Sequence, residues 1–178
     1  MATNTSPAII VSENERSYEP ITDDDLRRLG QVAAEDRNSL FARRPETGRL
    51  YRDRLCAVAL CQGAALHRLN GQNGVKDFDV WTFYVEHPER PYPYRRNGTA
   101  DFGNPKFGQS PGWEHFVGRR VDLLGRSLPI DPNADVAKEL RRYLRQARTS
   151  TAQHLAAKAV VLIEPSHRLG EIVWPVTT

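Results

Sequence analysis

Leu55-Cys56-Ala57-Val58-Ala59-Leu60-Cys61-Gln62-Gly63-Ala64-Ala65-Leu66-His67, a polar turn, and then Lys76-Asp77-Phe78-Asp79-Val80-Trp81-Thr82-Phe83-Tyr84-Val85 form the stretch that decides the fold. The nearly unbroken apolar run from Leu55 to Cys61 predicts a strand covered on both faces, which belongs in the middle of an α/β sheet. Gly63 permits a tight turn, and Ala64 to Arg68 predict one or two helical turns whose leading N–H groups suit a phosphate. Asn70-Gly71-Gln72-Asn73-Gly74 ends that helix and aims the chain at a second strand. Asp77 and Asp79 open this second strand, and at i and i+2 they project from the same side. Two carboxylates held so close repel unless a cation neutralises them, and oxygen-seeking Mg²⁺ is the usual partner where phosphate chemistry is done. Asp122, a single acid inside Arg120-Val121-Asp122-Leu123-Leu124, offers a third carboxylate on another short apolar run expected to pair beside the first.

In this order and context, the residues resemble the signature of the DNA polymerase beta nucleotidyltransferase superfamily. An apolar strand ends at Gly63-Ala64, Asp77-Phe78-Asp79 gives two acids around one apolar residue, and Asp122 stands between apolar neighbours. The likeness covers roughly Leu55 to Leu124 and rests on short motifs. It departs from the pattern at Ala64, which lacks the hydroxyl that many members point at a triphosphate and keeps only its backbone N–H. The resemblance implies an α/β (α+β) fold with a nucleotidyltransferase-like mixed β-sheet flanked by helices. It also implies transfer of a nucleoside monophosphate from an NTP such as ATP to a hydroxyl acceptor on RNA, protein or a small molecule. Asp77, Asp79 and Asp122 would be the catalytic residues and would hold two Mg²⁺ ions, with Mn²⁺ as a substitute. One ion would bridge the triphosphate and the other would lower the pKa of the acceptor hydroxyl. Asp122 is the general-base candidate. Gly63 and Ala64 would position the β and γ phosphates through backbone N–H groups, and Arg68, Lys76 and Lys158 are the candidate nucleotide-binding cations. Two other readings use the same residues. A metal-dependent nuclease or phosphohydrolase would need the acids but leaves the glycine turn unexplained; a non-catalytic nucleic-acid or partner-binding module, of toxin-antitoxin type, would keep the fold alone.

At 178 residues, with 39% hydrophobic and 26% charged residues, the chain suits one ordinary globular domain and excludes general disorder. The expected organisation is an N-terminal tail or edge segment over 1–20 followed by one domain over 21–178. A net charge of +3 allows attraction to phosphates but falls short of a dedicated nucleic-acid binder. Cys56 and Cys61, five positions apart on one expected strand, should point to opposite faces as reduced core thiols, which favours a cytoplasmic location. The N-terminus lacks a basic start followed by a long apolar region, and no run of about 18 apolar residues occurs, so neither export nor membrane insertion is expected.

Elsewhere, Thr22 before Asp23, Asp24 and Asp25 predicts a capped helix with Leu26, Leu29, Val32, Ala33 and Leu40 on its packed face, closed by Pro45 and Gly48. The segment from Glu86 to Trp113 reads as a long loop. Its Arg90, Arg95, Arg96 and Lys106 stand among Tyr92, Tyr94, Phe102 and Phe107, which makes it the candidate acceptor-recognition element. Phe116 to Leu124 should form the third strand, and Asp131-Pro132 the cap and first residue of a helix. On the other face of that helix Lys138, Arg141, Arg142, Arg145 and Arg148 form the densest basic cluster, either a solvated face or an RNA or substrate surface. A second helix capped within Thr149 to Thr151 would carry Lys158, and Val160 to Ile163 reads as a further strand. His67 is expected to be structural, and Cys61 lacks the His and acid partners a thiol nucleophile needs.

Overall fold

The computed structural model describes residues 15–92 and 98–176. Within them six strands, β1 (Leu55–Cys61), β2 (Phe78–Val85), β3 (Gly98–Asp101), β4 (Arg120–Leu128), β5 (Val160–Glu164) and β6 (Ile172–Trp174), form one mixed sheet in the order β3-β4-β2-β1-β5-β6. The apolar run of β1 takes a central place, antiparallel to both β2 and β5. β2 and β4 run parallel, and their register sets Phe78 against Val121 and Asp79 against Asp122. The protein is thus a mixed α/β fold, as its sequence pattern predicts.

Among the described residues five α-helices flank the sheet: α1 (Asp23–Arg43), α2 (Pro45–Tyr51), α3 (Gln62–Asn70), α4 (Val136–Gln146) and α5 (Ser150–Ala156). One face carries Val58, Leu60, Phe78, Val80, Val121 and Leu123, buried under Leu26, Leu29 and Val32 of α1 and Ala64 and Ala65 of α3. The opposite face carries Ala57, Ala59, Cys61, Phe83 and Leu162 beneath Leu140 and Leu144 of α4 and Leu155 of α5. At the expected N-terminus of α1 the Thr22 hydroxyl accepts the Asp25 N–H, and the Asp25 carboxylate accepts the Thr22 N–H in return. Two orphan donors are satisfied by that reciprocal pair.

Several boundaries differ from expectation for identifiable reasons. Pro45 does end α1, but it also starts α2 as its first residue, where a missing N–H costs nothing, and Gly48 lies inside that helix. The strand expected over Phe116 to Leu124 is β4, the fourth in the chain because β3 precedes it, and it runs four residues later, from Arg120 to Leu128. Helix α4 is capped by Asp135, which accepts the Lys138 N–H at 2.8 Å, while Asp131 serves a turn by accepting the Asn133 N–H. Cys56 and Cys61 are both free thiols, but a bulge between Leu55 and Ala57 breaks the alternation, and both pack against the α4–α5 side.

The largest correction concerns residues 86–113. Strand β3 lies inside this span, and Phe102 and Phe107 are core residues whose rings meet Phe78 at centroid distances of 5.1 and 5.2 Å. Tyr92 is buried against Tyr84 and Tyr51. Lys106 pairs with Asp25 at 2.6 Å, and Arg90 lies 3.7 Å from Glu46. The aromatic and basic residues expected to face an acceptor are therefore largely committed to the fold. Tyr94, Arg95 and Arg96 lie outside the described residues, as does the apolar run from Ala8 to Val11. Of the N-terminal segment, Ser17 bridges Val75 through two backbone hydrogen bonds. No helix among the described residues is long and apolar enough to cross a membrane.

Candidate metal centre

Strand alternation and the β2–β4 register together build the acidic site. Asp79 and Asp122 are direct partners across the parallel pair, so their side chains leave the same face of the sheet. Asp77, one residue before β2, joins them, and oxygen atoms of all three carboxylates lie within 4.8 Å of one another. The segment that carries Asp77 is braced from below. Ser110 donates its hydroxyl to the Lys76 carbonyl and accepts the Arg120 N–H, while buried Arg119 donates to the carbonyls of Lys76, Phe107 and Glu15.

Charge in this cluster is incompletely balanced. Burial first, then the neighbouring Asp77 and Asp122 charges, push the Asp79 carboxyl up to about 7, against the opposing pull of Arg120 and Lys158. Asp122 is also raised, mainly by burial, although its bond to Arg120 works the other way. Three clustered hard oxygen donors with raised proton affinity at two of them fit a divalent cation of the Mg²⁺, Mn²⁺ or Ca²⁺ type, which would compete for the same lone pairs as a proton. The Arg120 guanidinium approaches from the rim, with one nitrogen 3.0 Å from Asp77 Oδ2 and 2.7 Å from Asp122 Oδ2. Its Nε is buried without a partner, and its guanidinium lies 5.5 Å from the Trp113 ring centre.

A cleft of about 320 Å³ opens beside the acids, lined by Arg16, Gln62, Gly63, Ala64, Lys76, Asp77, Asp79, His154, Ala157 and Lys158. Its back is the turn from β1 into α3. Gln62 makes that turn with φ 61°, a left-handed conformation unfavourable for a side chain with a Cβ. It is held there by its N–H on the Ala159 carbonyl and its side-chain amide on the His154 carbonyl. Asn73 donates to the Gly63 carbonyl at 2.9 Å, and a Cβ on Gly63 would lie 3.0 Å from that amide nitrogen. A side chain at position 63 would therefore press on the Asn73 amide, which would have to give by a few tenths of an ångström.

Of the residues singled out from sequence, Asp77, Asp79, Gly63, Ala64, Lys76 and Lys158 meet in or around this cleft, and Asp122 adjoins Asp77 and Asp79. Lys158 lies just beyond α5 rather than within it. Arg68 is not part of the group: its guanidinium binds the Ile21 carbonyl and Asp23, tying α3 to the start of α1. His67 is structural, with one ring nitrogen on the Glu19 carbonyl and the other accepting the Gly74 N–H. The Cys61 thiol is held well above its ordinary range by burial and by the Asp79 charge, which disfavours a nucleophilic thiolate. The basic face of α4 is also outside the cleft, with Arg141 paired to Glu171 and Arg142 to Glu139. Sequence reasoning missed Arg16 and His154 in the cleft wall, and the role of Arg120. Each reaches the site through tertiary packing and carries no local motif. Comparison with protein-family models, curated proteins and solved structures gives no match to this chain.

Proposed function

We propose that the chain is a divalent-metal-dependent nucleotidyltransferase that moves a nucleoside monophosphate from an NTP to a hydroxyl acceptor. The observation that carries this reading is the meeting of three carboxylates on one sheet face beside a glycine-bearing helix start and a cleft lined by cationic side chains. Asp77, Asp79 and Asp122 would hold the metal, which when bound supplies positive charge to the reacting phosphate and acidifies a hydroxyl. The backbone N–H groups at the start of α3 receive phosphate oxygens, and Arg16, Lys76 and Lys158 offset their charge. Asp122, its proton affinity already raised by burial, takes the proton of the attacking hydroxyl. The oxygen–phosphorus bond forms at the α-phosphorus as the bond to the departing pyrophosphate breaks.

Calorimetry with ATP, GTP, CTP and UTP, with Mg²⁺ present or chelated, tests this function. Metal-dependent binding by the wild type that is lost in the double variant Asp77→Ala/Asp79→Ala is the expected result. Absence of binding by the wild type to all four nucleotides would overturn it. That outcome would favour a second reading, a non-catalytic module on the same scaffold, for which the Arg120 ion pairs are the specific support: they give Asp77 and Asp122 a partner that requires no metal.

A further inference from the structure

The three acids are matched by one guanidinium that occupies two of them at once. Arg120 and Asp122 stand two positions apart on β4, so both side chains lie on the cleft face of the sheet. One Arg120 nitrogen bridges Asp122 and Asp77, while no hydrogen bond joins Arg120 to Asp79 among the described residues. The side chain is only partly enclosed. It retains 29% exposure, its Nε makes no hydrogen bond, and its guanidinium also lies over the ring of Trp113. Trp113 belongs to a short, partly exposed aromatic loop in which it packs on His115 and Phe116 with centroid distances of 5.5 and 5.0 Å. A structural arginine in this protein looks different: Arg119 is 2% exposed and spreads its donors over three carbonyls.

We propose that Arg120 is a displaceable counter-cation that regulates access of the divalent metal to this site, an inference resting on the metal reading above. A guanidinium and a metal ion drawn to the same carboxylates repel each other and share the lone pairs of Asp77 Oδ2 and Asp122 Oδ2, so each weakens the hold of the other. Arg120 therefore swings away as the metal binds, and the Trp113 ring, already in contact, registers the movement. The partly exposed ion pairs are weak enough to be broken in this way.

Mn²⁺ titration of the full chain by calorimetry tests the proposal, comparing the wild type, Arg120→Gln and the double variant Asp77→Ala/Asp79→Ala. Removal of the competitor should make Mn²⁺ bind about five-fold tighter in Arg120→Gln, while the double variant binds none. Equal or weaker binding in Arg120→Gln, with the wild type binding normally, overturns the counter-cation role and leaves the metal site intact. Failure of both the wild type and Arg120→Gln to bind overturns the metal reading and this proposal with it. Should Arg120→Gln fail to fold, the wild type decides the matter through Trp113 fluorescence, isolated by subtracting Trp113→Phe. The emission should change at saturating Mn²⁺, and unchanged emission at saturation overturns the proposal.

Discussion

Replacing Asp79 with asparagine should stabilise the metal-free protein by an amount that grows as pH rises from about 4 to 7 and is constant above it. Asp79 is raised from an ordinary 3.8 to about 7 by burial and by two neighbouring carboxylates. Each tenfold change in proton affinity is worth about 1.4 kcal/mol, so the shift corresponds to a ceiling of about 4 kcal/mol. Because the folded chain holds this proton more tightly than the unfolded chain, wild-type stability falls as pH rises from about 4 to 7 and no further loss accrues above it. The Asp79→Asn variant keeps the shape of the side chain and removes its ionisation. Since the side chain borders an open cleft, water screens part of the cost, and we expect a gain of about 1–2 kcal/mol at pH 8 that vanishes near pH 4. Urea unfolding in a metal chelator at both pH values measures it. A difference between variant and wild type that is independent of pH, or that grows toward acid, would refute the reasoning.

Two further substitutions test the supports around the site. His67→Ala breaks the link between Glu19 and the Gly74 turn and leaves buried groups unpaired, so chemical denaturation should show a loss of about 2 kcal/mol while Mn²⁺ affinity is unchanged. At Gly118 a Cβ would sit 2.3 Å from the Asn104 carbonyl oxygen. Backbone must therefore move in Gly118→Ala, and a loss of about 3 kcal/mol is expected in urea melts.

The centre of the fold is legible because its signals are local. An apolar run, a glycine and a polar turn specify β1, α3 and the approach to β2 without reference to the rest of the chain. Asp77 and Asp79 follow from the period of a strand, and Asp122 is picked out by its apolar neighbours. The span 86–113 misleads because prolines and glycines announce loops, whereas the burial of Phe102, Phe107 and Tyr92 depends on Phe78, Tyr84 and Tyr51 needing cover. Propensity also cannot count bulges, so the bulge after Leu55 erases the predicted separation of the two cysteines. Arg68 suits a phosphate turn until α1 supplies it with Asp23. Arg16, His154 and the bridging role of Arg120 depend on pairings between distant segments, which a single sequence does not display.

The parallel register between β2 and β4 also has a kinetic meaning. Asp77 and Arg120 are 43 positions apart in sequence, and parallel strands so separated pair only after a long loop has closed. A slip of one residue in that register would send Asp122 to the face occupied by Val121 and Leu123 and dissolve the cluster. The acids are therefore brought together by the pairing of β2 with β4 and not by either strand alone. A ligand held by all three recognises only a chain in which those strands have paired, so it acts as a brake on unfolding rather than as a template for folding.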